Sequence, residues 1–557
     1  MISRLRITWL TCGVVLLQIS SINPFQLALS HAQVPATANI VDATDSKAIE
    51  SNAMPRAETG SDELLIAELR TYIEQVRNQW SVPGLAVAIV KNDQVLMAEG
   101  FGYLEVGGDE PVDGDTLFAI ASNTKAFTSA ALAILVDEGK LAWDDRVDRY
   151  LPWLRLKDPM TRDLRIRDLL CHRSGLGTFS GDLVWWGTKY SPREVLERAI
   201  HLEPASPFRS KYGYSNLMFL AAGLVIEEVS GQAWSEFIAQ QILAPLQMSR
   251  TITTTSRLDE VGNFATPHKT FLDRNEPIEW VNWDNMAAAG GVISSAKDMA
   301  NWMRVQLGRG EFSPDDGEAT RLFSMAQSHQ MWRAHTPIPV SEASLRKTPS
   351  THFRAYGLGW SLSDYQGCKL AVHGGGYDGM YSQTLLVPEK RLGVVVLTNS
   401  MTSITSSITY RVLDSFLGVE LRDWSSERLV DFKKSRESFA GRIDTATKIQ
   451  VEGTKPSHDL AAYAGDFRCP LYGNAKIELE GKGLVLRLLP NERLVADLEH
   501  LHYDTFLIRW RHEHAWFGAG TANFLSNAQG KVVRIELDVP NDDMWFYELD
   551  LQRIADD

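Results

Sequence analysis

Apolar residues recur at helical spacing through Leu65, Leu69, Tyr72, Ile73, Val76 and Trp80, which predicts an amphipathic helix that Pro83-Gly84 ends. Two apolar runs follow, residues 85–90 and 95–98. They flank Lys91-Asn92-Asp93-Gln94 and predict a β-hairpin. The middle of the chain reads as helices. One covers Thr124 to Glu138, rich in Ala, Leu and Ile, and breaks at Gly139; another runs from about Asn216 to Val229 ahead of Gly231. Ser191-Pro192-Arg193-Glu194 has the N-cap, first-turn proline and N3 acid of a helix start, and a further helix begins at Ser294 or Ser295. Strands return at residues 369–372, 382–387 and 392–398. Strands at both ends of a helical block predict an α/β domain of the α+β kind over residues 62–420. Its antiparallel sheet is assembled from distant segments and flanked by helices, with an all-helical subdomain inserted.

Beyond that domain the pattern changes. Residues 421–457 are charged and polar and read as a linker. Alternation resumes at 476–479, 483–489, 506–510 and 532–537, predicting a small antiparallel β-barrel over residues 458–557. At the other end, Arg4 and Arg6 precede the apolar run Ile7 to Ile19, and Ser30-His31-Ala32 offers small residues for cleavage. Residues 1–32 therefore read as a secretory signal, cut after Ala32, and 33–61 as a flexible leader. The apolar run is short against the ~20 residues a membrane span needs, so membrane contact is expected only transiently, through the signal. A periplasmic or secreted protein follows. Past the signal only Cys171, Cys368 and Cys469 remain, too few for a disulfide framework, so a hydrophobic core must hold the fold. Net charge is −14 with no long basic run outside the N-terminus, which excludes nucleic acid as a partner.

Three short motifs carry the chemistry. Ser122-Asn123-Thr124-Lys125 puts a serine at the start of a helix, beside unpaired backbone N–H groups, with a lysine one turn away on the same face. Burial would lower that lysine's pKa and suit it to take the serine proton. Tyr214-Ser215-Asn216 adds a phenol able to relay a proton and an amide able to hold both a substrate carbonyl and the lysine. His373-Gly374-Gly375-Gly376 ends an apolar strand; the glycines allow close backbone approach, with Gly376 a candidate oxyanion donor. His373 is expected to orient the Tyr214 hydroxyl or to bind a substrate carboxylate. Ser-x-x-Lys recurs at Ser294/Lys297 and Ser344/Lys347, and Tyr-x-Asn at Tyr472/Asn474, without such a setting. Cys171 and His172 are adjacent, so their side chains diverge. His500/His502 and His512/His514 lack a completing ligand, and neither metal nor cofactor is expected. Trp185, Trp186, Trp280 and Trp283 read as core, or as walls of an apolar cleft.

In this order the motifs resemble the serine β-lactamase and penicillin-binding-protein superfamily. The closer match is its class C branch, with D-aminopeptidases, carboxypeptidases and esterases. Supporting phrases are Leu169-Leu170-Cys171-His172-Arg173-Ser174-Gly175-Leu176, Ala289-Gly290-Gly291-Val292-Ile293-Ser294-Ser295 and Tyr356-Gly357-Leu358-Gly359-Trp360. The tail, with Tyr463-Ala464-Gly465 and His500-Leu501-His502-Tyr503-Asp504, resembles the lipocalin-like domain appended to some members. The resemblance implies Ser122 as nucleophile, Lys125 as its base and Tyr214 as proton relay, with Asn216, His373 and the glycines completing the site. Where Lys-Thr-Gly is common in β-lactamases, this chain has His373-Gly374-Gly375, a weaker partner for a carboxylate. The expectation is a serine hydrolase that acts through an acyl-serine on small peptides or amides containing D- or non-standard residues. Ester or β-lactam substrates, or a catalytically inactive binding protein on the same scaffold, stay open. The barrel is expected to gate the cleft or to drive homo-oligomerisation.

Overall fold

The computed structural model describes residues 59–555 apart from 273 and 449. The signal reading and nearly all of the leader reading lie outside the described residues. Helix α1 spans Thr59–Gln79 and buries Ile66, Leu69, Ile73 and Val76. The hairpin follows as β1 (Gly84–Lys91) and β2 (Gln94–Gly102). Its two-residue turn, Asn92-Asp93, has φ of 50° and 68°, the left-handed pair that matches strand twist.

Helices α2 (Thr124–Asp137), α3 (Asn216–Ser230) and α4 (Ala296–Leu307) come next. Ser295 caps α4, its hydroxyl accepting from the Asp298 N–H. Six strands complete the sheet: β3 (Thr336–Pro337), β4 (Arg354–Tyr356), β5 (Ser361–Tyr365), β6 (Cys368–Tyr377), β7 (Met380–Val387) and β8 (Leu392–Thr398). The order is β2-β1-β8-β7-β6-β5-β4-β3, antiparallel throughout. The N-terminal hairpin is thus sewn into strands from the far side of the helical block, as the split apolar pattern predicts.

Strands β1 and β8 are apolar without alternation because both faces are covered. Ala86, Ala88, Val395 and Leu397 join the core shared with the helical block and α4. Leu85, Val87, Val394 and Val396 join a second core under α1 and α5 (Ile404–Leu417).

The segment expected as a linker carries a 25-residue helix, α6 (Trp424–Lys448). Only Trp424 and Ser425 of it are buried, so no apolar stripe marks it in the sequence. Its start is anchored: the Trp424 indole donates to Asp414 Oδ2 at 2.6 Å, and the Trp80 indole to Ser425 Oγ at 2.9 Å.

Eight antiparallel strands between Gly465 and Arg553 close into a barrel, the last (Leu551–Arg553) pairing with the first (Gly465–Cys469). Closure leaves no free sheet edge. Buried Tyr463, Phe506 and Phe524 meet inside it at 5.0–5.4 Å. The barrel docks on the helical block. Ser180 Oγ and the Gly181 N–H donate to the Glu548 carboxylate at 2.6 and 2.9 Å, and Tyr190 Oη donates to Tyr472 O at 2.8 Å. Cys171, Cys368 and Cys469 are free and buried. No helix among the described residues is long and apolar enough to cross a membrane.

Candidate active site

Ser122 sits in a single 3-10 turn, Ala121–Asn123, immediately before α2. Ala121 holds φ at 45°, a strained conformation for a residue with a Cβ. The turn is pressed against the glycine strand: a Cβ on Gly375 would lie 2.1 Å from Ile120 O, so only glycine fits there. Asn123 ties the same turn down through Ser382 Oγ at 2.9 Å.

Lys125 has no exposed surface. Its Nζ lies 2.9 Å from Ser122 Oγ, 2.7 Å from Asn216 Oδ1 and 2.9 Å from Ala289 O. Burial outweighs the pull of Asp182 and brings the ammonium down to about 7. The Tyr214 ring lies 4.8 Å from Nζ, and Tyr214 lines the same cleft as Ser122. Burial lifts that phenol well above its ordinary range. The two candidate proton carriers are thus pushed apart: the lysine is the base available near neutral pH, and the tyrosine keeps its proton.

His373 stands elsewhere than expected. Its Nε2 meets Tyr356 Oη at 2.6 Å, not Tyr214, and its Nδ1 meets Gly374 O at 2.7 Å. A carbonyl only accepts, so Nδ1 carries the proton and Nε2 accepts from the tyrosine. Burial and the nearby Lys125 push the imidazole down to about 3. It is neutral with both nitrogens engaged, which removes the expected pairing with a substrate carboxylate. The register between β5 and β6 stops at Val372, so on that side the backbone from His373 to Gly376 faces the cleft with no strand partner. The space where a Gly374 Cβ would stand holds only Ser382 O, 3.8 Å away.

The other two Ser-x-x-Lys pairs do not converge. Lys297 pairs with Asp115 and Lys347 with Asp431. Trp185 and Trp283 wall the cleft, and the indoles of Trp283 and Trp186 donate to Asp378 at 3.0 and 3.3 Å. That buried carboxyl, raised to about 6 by desolvation, anchors the turn just past the glycines.

The motif reading assigns no role to several residues here. His172, fully buried with φ at 57°, accepts from the Ser215 N–H at 3.0 Å; its ring lies 4.2 Å from that of Tyr214 and 4.4 Å from that of Tyr356. Asp182, 2% exposed and raised to about 8 by burial, accepts from Asn216 Nδ2 at 2.6 Å. The barrel reaches in as well. Trp516, Asp543 and Met544 help line a cleft of about 500 Å³ that opens on Ser122. Asp543 is raised to about 6 by desolvation and by Asp542.

Known proteins resemble this chain in sequence and in fold. The chain is 28% identical over 427 residues to an unguisins hydrolase of Aspergillus campestris, covering 72% of this chain and 75% of that one. Its fold matches the octameric penicillin-binding protein homologue of Pyrococcus abyssi, with a TM-score of 0.56 and 22% identity over 88% of this chain and all of that one. It also matches a D-stereospecific amidohydrolase of Streptomyces sp., with a TM-score of 0.50 and 22% identity over 64% and 99%. A family model described as a domain of unknown function (DUF3471) matches residues 450–553. The model described as beta-lactamase matches residues 69–414, and the chain belongs to that family of serine hydrolases.

Proposed function

We propose that the protein is an exported hydrolase that cleaves small peptides or amides through an acyl-Ser122 intermediate, with D- or non-standard residues in its substrates. The observation that carries this is the buried Lys125 amine, 2.9 Å from Ser122 Oγ and brought down to about 7. In acylation the Oγ–carbon bond forms as the serine proton passes to Nζ. The carbon–nitrogen bond then breaks, and the proton leaves on the amine by way of Tyr214. Water repeats the sequence in reverse to free Ser122. Backbone N–H groups at Ser122 and in the Gly374–Gly375–Gly376 stretch receive the oxyanion.

The charge of the cleft favours some substrates over others. Among the described residues its lining has no Lys or Arg, His373 is neutral, and the carboxyl groups there are those of Asp182 and Asp543. A substrate with a free carboxylate beside the scissile bond, as in a penicillin or a D-Ala-D-Ala terminus, would enter unpaired. Asp543 has no cationic partner among the described residues and suits a substrate amine.

The test is a panel of D-amino-acid amides, D-Ala-D-Ala peptides, short acyl esters and a chromogenic cephalosporin, with Ser122→Ala run alongside. Turnover of the amides that disappears in the variant supports the reading. Preference for the esters would make the protein an esterase, and turnover surviving in the variant would remove Ser122 from the chemistry. For export, the mature protein is expected to begin at Gln33 in a periplasmic or culture fraction; an intact Met1 in the cytoplasm would refute it.

A further inference from the structure

We infer that Asp182 is a positioning residue for the lysine base: it locks the side-chain amide of Asn216 in the one orientation that leaves the lysine lone pair free for Ser122. This rests on the roles proposed above for Ser122 and Lys125.

Donors and acceptors decide the orientation. Asp182 opens the short helix Asp182–Trp185, directly after Gly181 in its left-handed conformation (φ 81°). Its Oδ1 accepts from the Trp185 indole at 3.0 Å and its Oδ2 from Asn216 Nδ2 at 2.6 Å. An indole N–H and an amide NH₂ only donate, so both oxygens of Asp182 act as acceptors. With its nitrogen held there, Asn216 must turn its oxygen to Lys125, where Oδ1 stands 2.7 Å from Nζ.

A neutral amine has two N–H bonds and one lone pair. Here two acceptor-only oxygens, Asn216 Oδ1 and Ala289 O, take the N–H bonds. The third neighbour is the Ser122 hydroxyl, so the lone pair faces the proton it is to receive. Rotating the Asn216 amide by half a turn would aim an N–H at the same lone pair and set it in competition with Ser122. Lys125 cannot prevent that rotation by itself, because a neutral amine both donates and accepts. Asp182 supplies the preference through Asn216: its carboxyl forms part of the cleft lining, and its two hydrogen bonds go to Trp185 and Asn216 rather than to Ser122. Such an arrangement is worth far more in a dry site than at a surface, since a misdirected amide has no water to satisfy it. The titratable groups around Lys125 are Asp182, Tyr214, His172 and His373. Of these only Asp182 holds Asn216.

The experiment compares acylation by p-nitrophenyl acetate in the wild-type protein, Asp182→Asn, and the exchange Asp182→Asn/Asn216→Asp, with Ser122→Ala as blank. Asp182→Asn keeps the side-chain shape and removes the fixed acceptor. It is expected to slow acylation on the order of 10- to 100-fold with KM little changed, short of the ~10²–10⁴-fold that general-base catalysis can supply. The exchange puts the carboxylate at position 216, where it can only accept from Lys125, and lets the amide now at position 182 donate to it. Most of the lost rate should return, and the pH at which activity rises should move about one unit or more to the alkaline side, because an anion beside the ammonium raises its pKa. A purely structural role would lower thermal stability in both variants with neither recovery nor pH displacement, and that result overturns the inference. An exchange that fails to fold also overturns it, since every donor–acceptor pair held to be sufficient is kept. If wild type releases no more nitrophenol than Ser122→Ala, the proposed roles of Ser122 and Lys125 fall first, and this inference with them.

Discussion

The helical block brings Ser122, Lys125, Tyr214 and Asn216 to the cleft, and the barrel brings Trp516, Asp543 and Met544. On the first wall the base and its amide are held: Lys125 has three partners and both Asn216 side-chain atoms are taken. On the second, Asp543 faces the cavity without a counter-ion among the described residues. A fully partnered cluster is pre-organised and needs nothing more to react; a lone half-buried carboxylate is completed only by what enters. The contrast assigns chemistry to one wall and selection to the other.

The strongest way to break that contrast is to remove the reacting atom. Ser122→Ala is expected to lower turnover on the order of 10⁴-fold or more for every substrate class while the melting temperature holds. Lys125→Ala should come within about tenfold of it, because residues acting as one unit are not additive. A mild loss would point to a different base. In the wild type, kcat/KM should fall about tenfold per pH unit below the lysine value of about 7, as protonation removes the base. A flat acid limb would contradict the assignment. The selecting wall should respond differently. Asp543→Asn is expected to cost ~10-fold on substrates with a free amine and almost nothing on their N-acetyl forms, in line with one charge-assisted hydrogen bond. Equal loss on both would make Asp543 structural. The smallest effect is that of the docking contact: Glu548→Gln weakens two hydrogen bonds from Ser180 and Gly181 and should cost about 1–2 kcal/mol, read in a denaturant melt.

The two walls also differ in how far the sequence reveals them. Ser122 and Lys125 are three apart on one helix start, so their meeting is a local fact, and the hairpin at Asn92-Asp93 is local in the same way. His373 was legible as a site residue, but its partner was not. Tyr356 reaches it across β5, and sheet register rather than spacing decides which tyrosine is adjacent. Asp182 lies in no motif, and His172 lies in a phrase, Leu169 to Leu176, that gives it no role; burial marks the significance of each, and burial is a property of the assembled core. Helix α6 escaped for the opposite reason: it buries only its first two residues and leaves no apolar periodicity to read. The barrel wall was the least legible of all. Alternation marked four of its strands, while nothing around Asp543 says that its loop ends beside Ser122.

The strand that closes the barrel, Leu551–Arg553, lies downstream of every residue that lines the cleft. During synthesis the nucleophile, base and relay are therefore all made long before the barrel can shut and present Asp543. Pairing of Phe467 with Arg553 is among the most distant contacts of that domain, and such contacts form late. A nascent chain would thus hold its reactive serine in a half-built cleft, and selectivity would arrive only with the final turn of folding.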